Sequence, residues 1–288
     1  MHIPSTFSVC NEMFGQTPFE QVCKEVAALG YEGLEVAPFT LGEDPAGLPE
    51  TRRAELRRAM KDEGLCFVGL HWLLATPPGL HMTTNNEAVR ARTWEYIHKL
   101  IDLCADLAVC RAEYNAVIVI GSPKQRSAVD GMTPREAAHI FTHELAHAAP
   151  HAESRGIKLL VEALSPDQTN VITSLQEAVN IVKQIGSPAV QTMFDVHNAR
   201  EEKEPPSELI RRYCSYIRHV HANEMDGREP GTGDYDFESL LAALAAAKYS
   251  GWISLEVFDW KRGAQQIAGD ALHYLKRVAP EMALTQTV

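Results

Sequence analysis

Four ionisable side chains stand in the middle of hydrophobic runs: Glu162 in LLVEAL, Asp195 in MFDVHN, His221 in YIRHVHAN and Glu256 in SLEVF. A charge buried in such surroundings without a partner costs several kcal/mol, so each of the four needs one. Taken singly, each could be a hydrogen-bonding residue of a core. Taken together, three carboxylates around one point repel one another unless something positive stands among them. A divalent cation meets that need. An oxygen-rich set with a single imidazole suits Mn²⁺, and after it Mg²⁺ or Co²⁺, better than a thiolate-seeking metal.

The elements that must position these residues can be read from the alternation of the chain. Eight short apolar or β-rich runs recur: TFSVC (6–10), GLEVA (33–37), LCFVGLH (65–71), NAVIVIG (115–121), IKLLVEAL (157–164), VQTMFDV (190–196), YIRHVHAN (216–223) and WISLEVF (252–258). Helical periodicity fills the intervals, with start and stop signals. In TPFEQVCKEVAALG, Thr17 is the expected N-cap, Pro18 the first helical residue, Glu20 the capping-box partner and Gly30 the stop. Thr133 and Pro134 open a second helix in the same way, and a third runs from Ser174 to Gly186. Apolar strands alternating with amphipathic helices indicate parallel βαβ units. Eight of them in one chain fit a single (β/α)8 TIM barrel, taken here as one domain over residues 1–288. In such a barrel the functional groups stand at the C-terminal ends of the strands. Glu162, Asp195, His221 and Glu256 hold that place on strands five to eight.

Composition narrows the function. The chain has 288 residues, 45% hydrophobic and 23% charged, with a formal net charge of −11. That charge argues against nucleic acid and anionic membrane surfaces as partners. No apolar run reaches the roughly 18 residues of a membrane span. The start, MHIPSTFSVC, lacks the features of a signal peptide. The six cysteines form no C-x-x-C pair and read as reduced core residues of a cytoplasmic protein. No phosphate-binding glycine motif is present, which weighs against a nucleotide cofactor. His139, His143, His147 and His151 recur every fourth residue, but they lie two residues from the Phe141, Leu145, Ala149 stripe. Two residues are about 200° of helix, so these imidazoles are expected to face solvent.

Across nearly its whole length, and most specifically from strand five to the end, the chain resembles the xylose-isomerase-like sugar isomerase and epimerase superfamily. GSPKQR (121–126) is also similar to members of that group. The resemblance implies that Glu162, Asp195, His221 and Glu256 bind one divalent metal, and that Glu162 and Glu256 act as acid and base on opposite faces of a substrate. It implies an isomerase or epimerase of a keto-sugar or related polyol, working through a metal-stabilised enediolate. The alternative is a lyase or dehydratase acting by β-elimination on a keto-inositol or a 3-keto-glycoside at the same site. Zinc-dependent apurinic endonucleases share the barrel, but they need a histidine-rich trinuclear site and a basic surface. A non-catalytic sugar-binding barrel is the remaining class. The loop after His221, with Arg228, is expected to cover the substrate. His71, Trp72, Glu35 and His197 are the further substrate-binding candidates, and Lys124 and Arg126 could grip an anion or form a salt bridge. One departure stands out: where the epimerases carry a histidine three positions after the metal-binding aspartate, this chain has Asn198, with His197 beside it. The expected partner is a small sugar or polyol, and exposed barrel helices leave room for a homo-oligomer.

Overall fold

The computed structural model describes residues 6–108 and 115–279. Among these, eight parallel strands close into a barrel in chain order. They are β1 (Thr6–Cys10), β2 (Gly33–Val36), β3 (Cys66–Leu70), β4 (Val117–Ile120), β5 (Lys158–Val161), β6 (Val190–Asp195), β7 (Ile217–Ala222) and β8 (Trp252–Leu255). Each falls within an expected run. The helices α1 (Phe19–Leu29), α2 (Glu50–Asp62), α3 (Glu87–Leu107), α4 (Pro134–Ser154), α5 (Leu175–Ile185), α6 (Pro206–Tyr213), α7 (Phe237–Ala246) and α8 (Ala264–Val278) follow the strands in turn. No described helix is long and apolar enough to cross a membrane.

The pleat sends alternate side chains to two cores. In β4, Val117 and Val119 point into the lumen, where they meet Val68, Leu160, Met193 and Trp252. Ile118 and Ile120 face the helix layer instead. The same alternation turns His219 and His221 of β7 inward while Val220 packs outward. It likewise turns Glu35 of β2 inward between Leu34 and Val36.

The helix signals hold with one correction. Thr133 caps α4 in a complete capping box with Glu136, and Ser174 and Gly186 bound α5. At α1 the N-cap position belongs to Pro18, and no side chain caps it. A proline there has no N–H for Glu20 to accept from, so the capping box cannot close. His139, His143 and His147 are exposed on α4, as the periodicity requires. His151 instead turns toward α3, stacking on His98 and pairing with Asp102 at 3.1 Å. Cys10, Cys23, Cys104 and Cys214 are free thiols. Cys66 is not: it is disulfide-bonded, and a bridge made by the fold leaves no local spacing to read. Cys110 lies outside the described residues.

Gly69 marks the tightest strand contact. A Cβ there would overlap the backbone carbonyl of Val117 on the neighbouring β4, and backbone cannot give way as a side-chain tip can. Gly69→Ala is expected to cost at least about 1–3 kcal/mol, the range of overpacked cores, measured as a lowered denaturant midpoint at unchanged slope.

Candidate active site

The C-terminal rim of the barrel carries the four residues. Asp195 closes β6, His221 is the penultimate residue of β7, and Glu162 and Glu256 directly follow β5 and β8. All four are nearly buried, at 7% exposed or less. Ligand atoms of Glu162, Asp195 and His221 lie within 4.8 Å of one another. His221 Nδ1 stands 3.0 Å from Glu256 Oε2 and 3.4 Å from Asp195 Oδ2. Yet this nitrogen makes no hydrogen bond. Glu162, Asp195 and His221 thus form a group that could hold a metal ion, and Glu256 adjoins it through His221 Nδ1.

Electrostatics agrees. Burial pushes Glu162 up, Asp195 and Glu256 push it further, and it reaches about 8. Burial would lower His221, but Glu256 and Glu35 hold it well above the usual imidazole range. Burial would raise Glu256, and His221 pulls it below the ordinary carboxylate value instead. The protein's own groups thus leave a deficit of positive charge, and it falls on Glu162.

Neighbouring donors orient the carboxylates. Asn198 donates from its backbone to Asp195 Oδ1 at 2.7 Å and from Nδ2 to Glu162 Oε1 at 3.2 Å, while its Oδ1 accepts from Gln168 at 2.7 Å. Asn223 donates to Asp195 Oδ2 at 3.3 Å, and Trp72 Nε1 donates to Glu256 Oε1 at 2.8 Å. Arg126 does not reach for an anion. It is fully buried and donates to the carbonyls of Ile120 and Glu162, tying the ends of β4 and β5 together. The price is visible in its Nε and Nη2, which have no partner, and burial lowers its pKa to about 10.

A cavity of about 620 Å³ opens over Glu162 and Glu256, with Asp195 and His221 outside its lining. His71, Trp72, His197 and Asn198 line it together with Glu162 and Glu256. His71 is held from behind by Glu12 at 2.8 Å. The His197 ring is fixed between the Met225 carbonyl at 2.9 Å and Arg200 at 2.8 Å. Two substrate candidates lie elsewhere. Glu35 is fully buried beneath His221, outside the cavity lining, because its strand position points down the lumen. Arg228 is also absent from the lining and bonds Asp226 and the Thr232 carbonyl on its own loop. Sequence reasoning gave no role to Asn223, Gln168 or Phe258, although Asn223 shares the inward phase of His219 and His221.

The profile of the xylose isomerase-like TIM barrel family matches residues 23–278. A putative hydroxypyruvate isomerase of Streptomyces coelicolor is 27% identical over 255 residues, which are 85% of this chain and 87% of that protein. A D-psicose 3-epimerase of Agrobacterium fabrum is 23% identical over 83% of this chain and 79% of its own. The crystal structure of a D-psicose 3-epimerase in the presence of D-fructose superposes with a TM-score of 0.82 at 20% identity, over 95% of this chain and 99% of that one. At that identity the structural likeness is one of fold. The profile match, spanning α1 to α8, is what assigns the sequence: the chain belongs to the xylose isomerase-like TIM barrel family.

Proposed function

We propose that the chain is a divalent-metal-dependent isomerase or epimerase of a keto-sugar or related polyol, working by proton transfer at a carbon beside a carbonyl. One observation carries this reading. Glu162 and Glu256 line the same cavity from β5 and β8, each held by its own donor, Asn198 for one and Trp72 for the other. Two carboxylates in environments that push their pKa values apart are the acid and base of a proton-transfer pair. The relatives' activities, hydroxypyruvate isomerase and D-psicose 3-epimerase, are of the same kind.

Glu162, Asp195, His221 and Glu256 would hold the ion, with Mn²⁺ favoured by their oxygen-rich set. When bound, the ion supplies Lewis-acid polarisation of substrate oxygens and acidifies the C–H between them. The protein's residues do the rest. One glutamate removes the proton and the other returns it from the opposite face, inverting the carbon; return to the neighbouring carbon interconverts aldose and ketose. Glu162 Oε1 accepts from Asn198, which leaves Oε2 for the proton. Trp72 stacks on Phe258 at 6.3 Å and walls the cavity on the Glu256 side.

Glu162→Gln and Glu256→Gln are each expected to lower turnover by at least about 10²-fold, the lower end of general acid–base effects. Wild-type enzyme in D₂O should place deuterium beside the carbonyl of the product. Turnover retained in either variant would remove that residue from the mechanism.

A second test needs no substrate. Mn²⁺ at about a hundredfold excess over Kd should stabilise chelator-treated protein by about 2.7 kcal/mol, raising the melting midpoint by roughly 5–10 °C for a chain of this size. Asp195→Asn and His221→Ala should lose most of that rise, and His143→Ala should keep it. The opposite pattern would move the ion to α4.

Gly121 supplies a third. A Cβ there would overlap Glu162 Oε2, the end of a flexible side chain that can swing aside. Gly121→Ala should therefore keep the native melting midpoint without metal, yet lose turnover to a degree comparable with Glu162→Gln.

A further inference from the structure

Beneath the rim, the lumen holds two further ionisable groups, Glu35 and His219, to which the proposed chemistry assigns no role. Glu35 is fully buried, and its two oxygens serve different rings. Oε2 lies 2.7 Å from His219 Nε2, and Oε1 lies 3.2 Å from His221 Nε2. His71 approaches the same Oε1 with Nδ1 at 3.6 Å, too far for a hydrogen bond, and its Nε2 is engaged by Glu12.

The reach of Glu35 across the barrel is built into the strands between. β1 and β8 separate β2 from β7 in the closed order. The register places Gly33, Ser8, Ser254 and His221 in one row. The two serines are bonded to each other at 2.9 Å, with the Cys10 thiol 3.8 Å from Ser254 Oγ, so only small side chains stand between β2 and β7 here. Apolar residues could fill this floor at less cost than ionisable ones, so stability alone does not account for the arrangement.

A carboxylate accepts and does not donate, so each ring offers it Nε2–H. For His221 that choice leaves Nδ1 as the lone-pair nitrogen, the atom that faces Asp195 and Glu256. We propose that Glu35 is the positioning residue of the ion site: it locks His221 with Nδ1 presented to the cation, and His219 is the anchor that stops the carboxylate from turning away. This rests on the reading that Glu162, Asp195, His221 and Glu256 hold a divalent ion. A carboxylate–imidazole pair of this kind sets ring tautomer and orientation, and its loss lowers metal affinity by about 10–100-fold.

The test uses the chelator-treated full chain, with Mn²⁺ binding followed by electron paramagnetic resonance and the metal-free melting midpoint measured alongside. Glu35→Gln is expected to weaken Mn²⁺ binding by about 10–100-fold while the metal-free midpoint stays at the wild-type value. His219→Leu should also weaken binding. His219→Gln, whose side-chain amide restores a donor near the place of Nε2, should recover it. Unchanged Mn²⁺ affinity in Glu35→Gln would overturn the proposal, as would a lowered midpoint with affinity intact, the mark of a purely structural role. If Glu35→Gln does not fold, equal affinities in the two His219 variants would overturn it. Failure of the underlying ion reading looks different: wild-type protein would bind no Mn²⁺, or Asp195→Asn would bind it as well as wild type.

Discussion

Five carboxylates, Glu12, Glu35, Glu162, Asp195 and Glu256, are buried in one barrel mouth with three imidazoles, His71, His219 and His221. Their mutual repulsion is stronger there than in water, because little solvent screens it. The imidazoles are not evenly shared. Glu12 has His71, Glu35 has His219 and His221, and Glu256 and Asp195 share His221. Glu162 has none, and its direct partner is the neutral amide of Asn198. The unmet charge therefore concentrates on Glu162 at the end of β5, where burial and the neighbouring Asp195 and Glu256 push the carboxyl up to about 8.

The rest of the barrel is arranged around that imbalance. Arg126 fixes the end of β5 through the Glu162 carbonyl, while Asn198 separately orients the Glu162 carboxylate. Gly121 leaves room for that carboxylate on the neighbouring chain segment. On the opposite side, Trp72 adopts a left-handed φ of 51°, a conformation that costs a non-glycine residue about 1–3 kcal/mol. From there its indole N–H meets Glu256. The strain sits where a donor is needed, which is the usual association of such outliers with working sites.

The fold was legible because parallel strands buried on both faces leave continuous apolar runs, and all eight runs became strands. The four rim residues were legible for the same reason, since an acid or imidazole inside such a run stands out. What could not be read was direction within the barrel. Glu35 stands inside an apolar run as the rim acids do, but one level lower, and a run of four residues does not say which level faces the cavity. Arg228 carried the right chemistry on the right loop, yet Asp226, two positions away, captures it. Arg126 looked like an anion-binding cation until the fold buried it against carbonyls. In each case the deciding partner is set by the three-dimensional path of a loop or by stagger between strands, neither of which leaves a local pattern.

Asn198 shows how such a difference bears on specificity. Asn198 stands where the resemblance to the epimerases implies a histidine that contacts the sugar. Here the side chain is engaged at both ends, by Glu162 and by Gln168. It is therefore an orienting group for Glu162, one of the two proposed acid–base glutamates. Among the lining residues, Gln168 reaches the same network, while His197 and Arg200 are tied to each other and Arg200 also to Asp167. Across the cavity stand the rings of Trp72 and Phe258. A polyol between these walls would place its hydroxyls toward the amides and its C–H face toward the rings, since each surface solvates that kind of group best. In the proposed reaction that orientation, more than the acid and base themselves, would decide which carbon faces the glutamate that returns the proton.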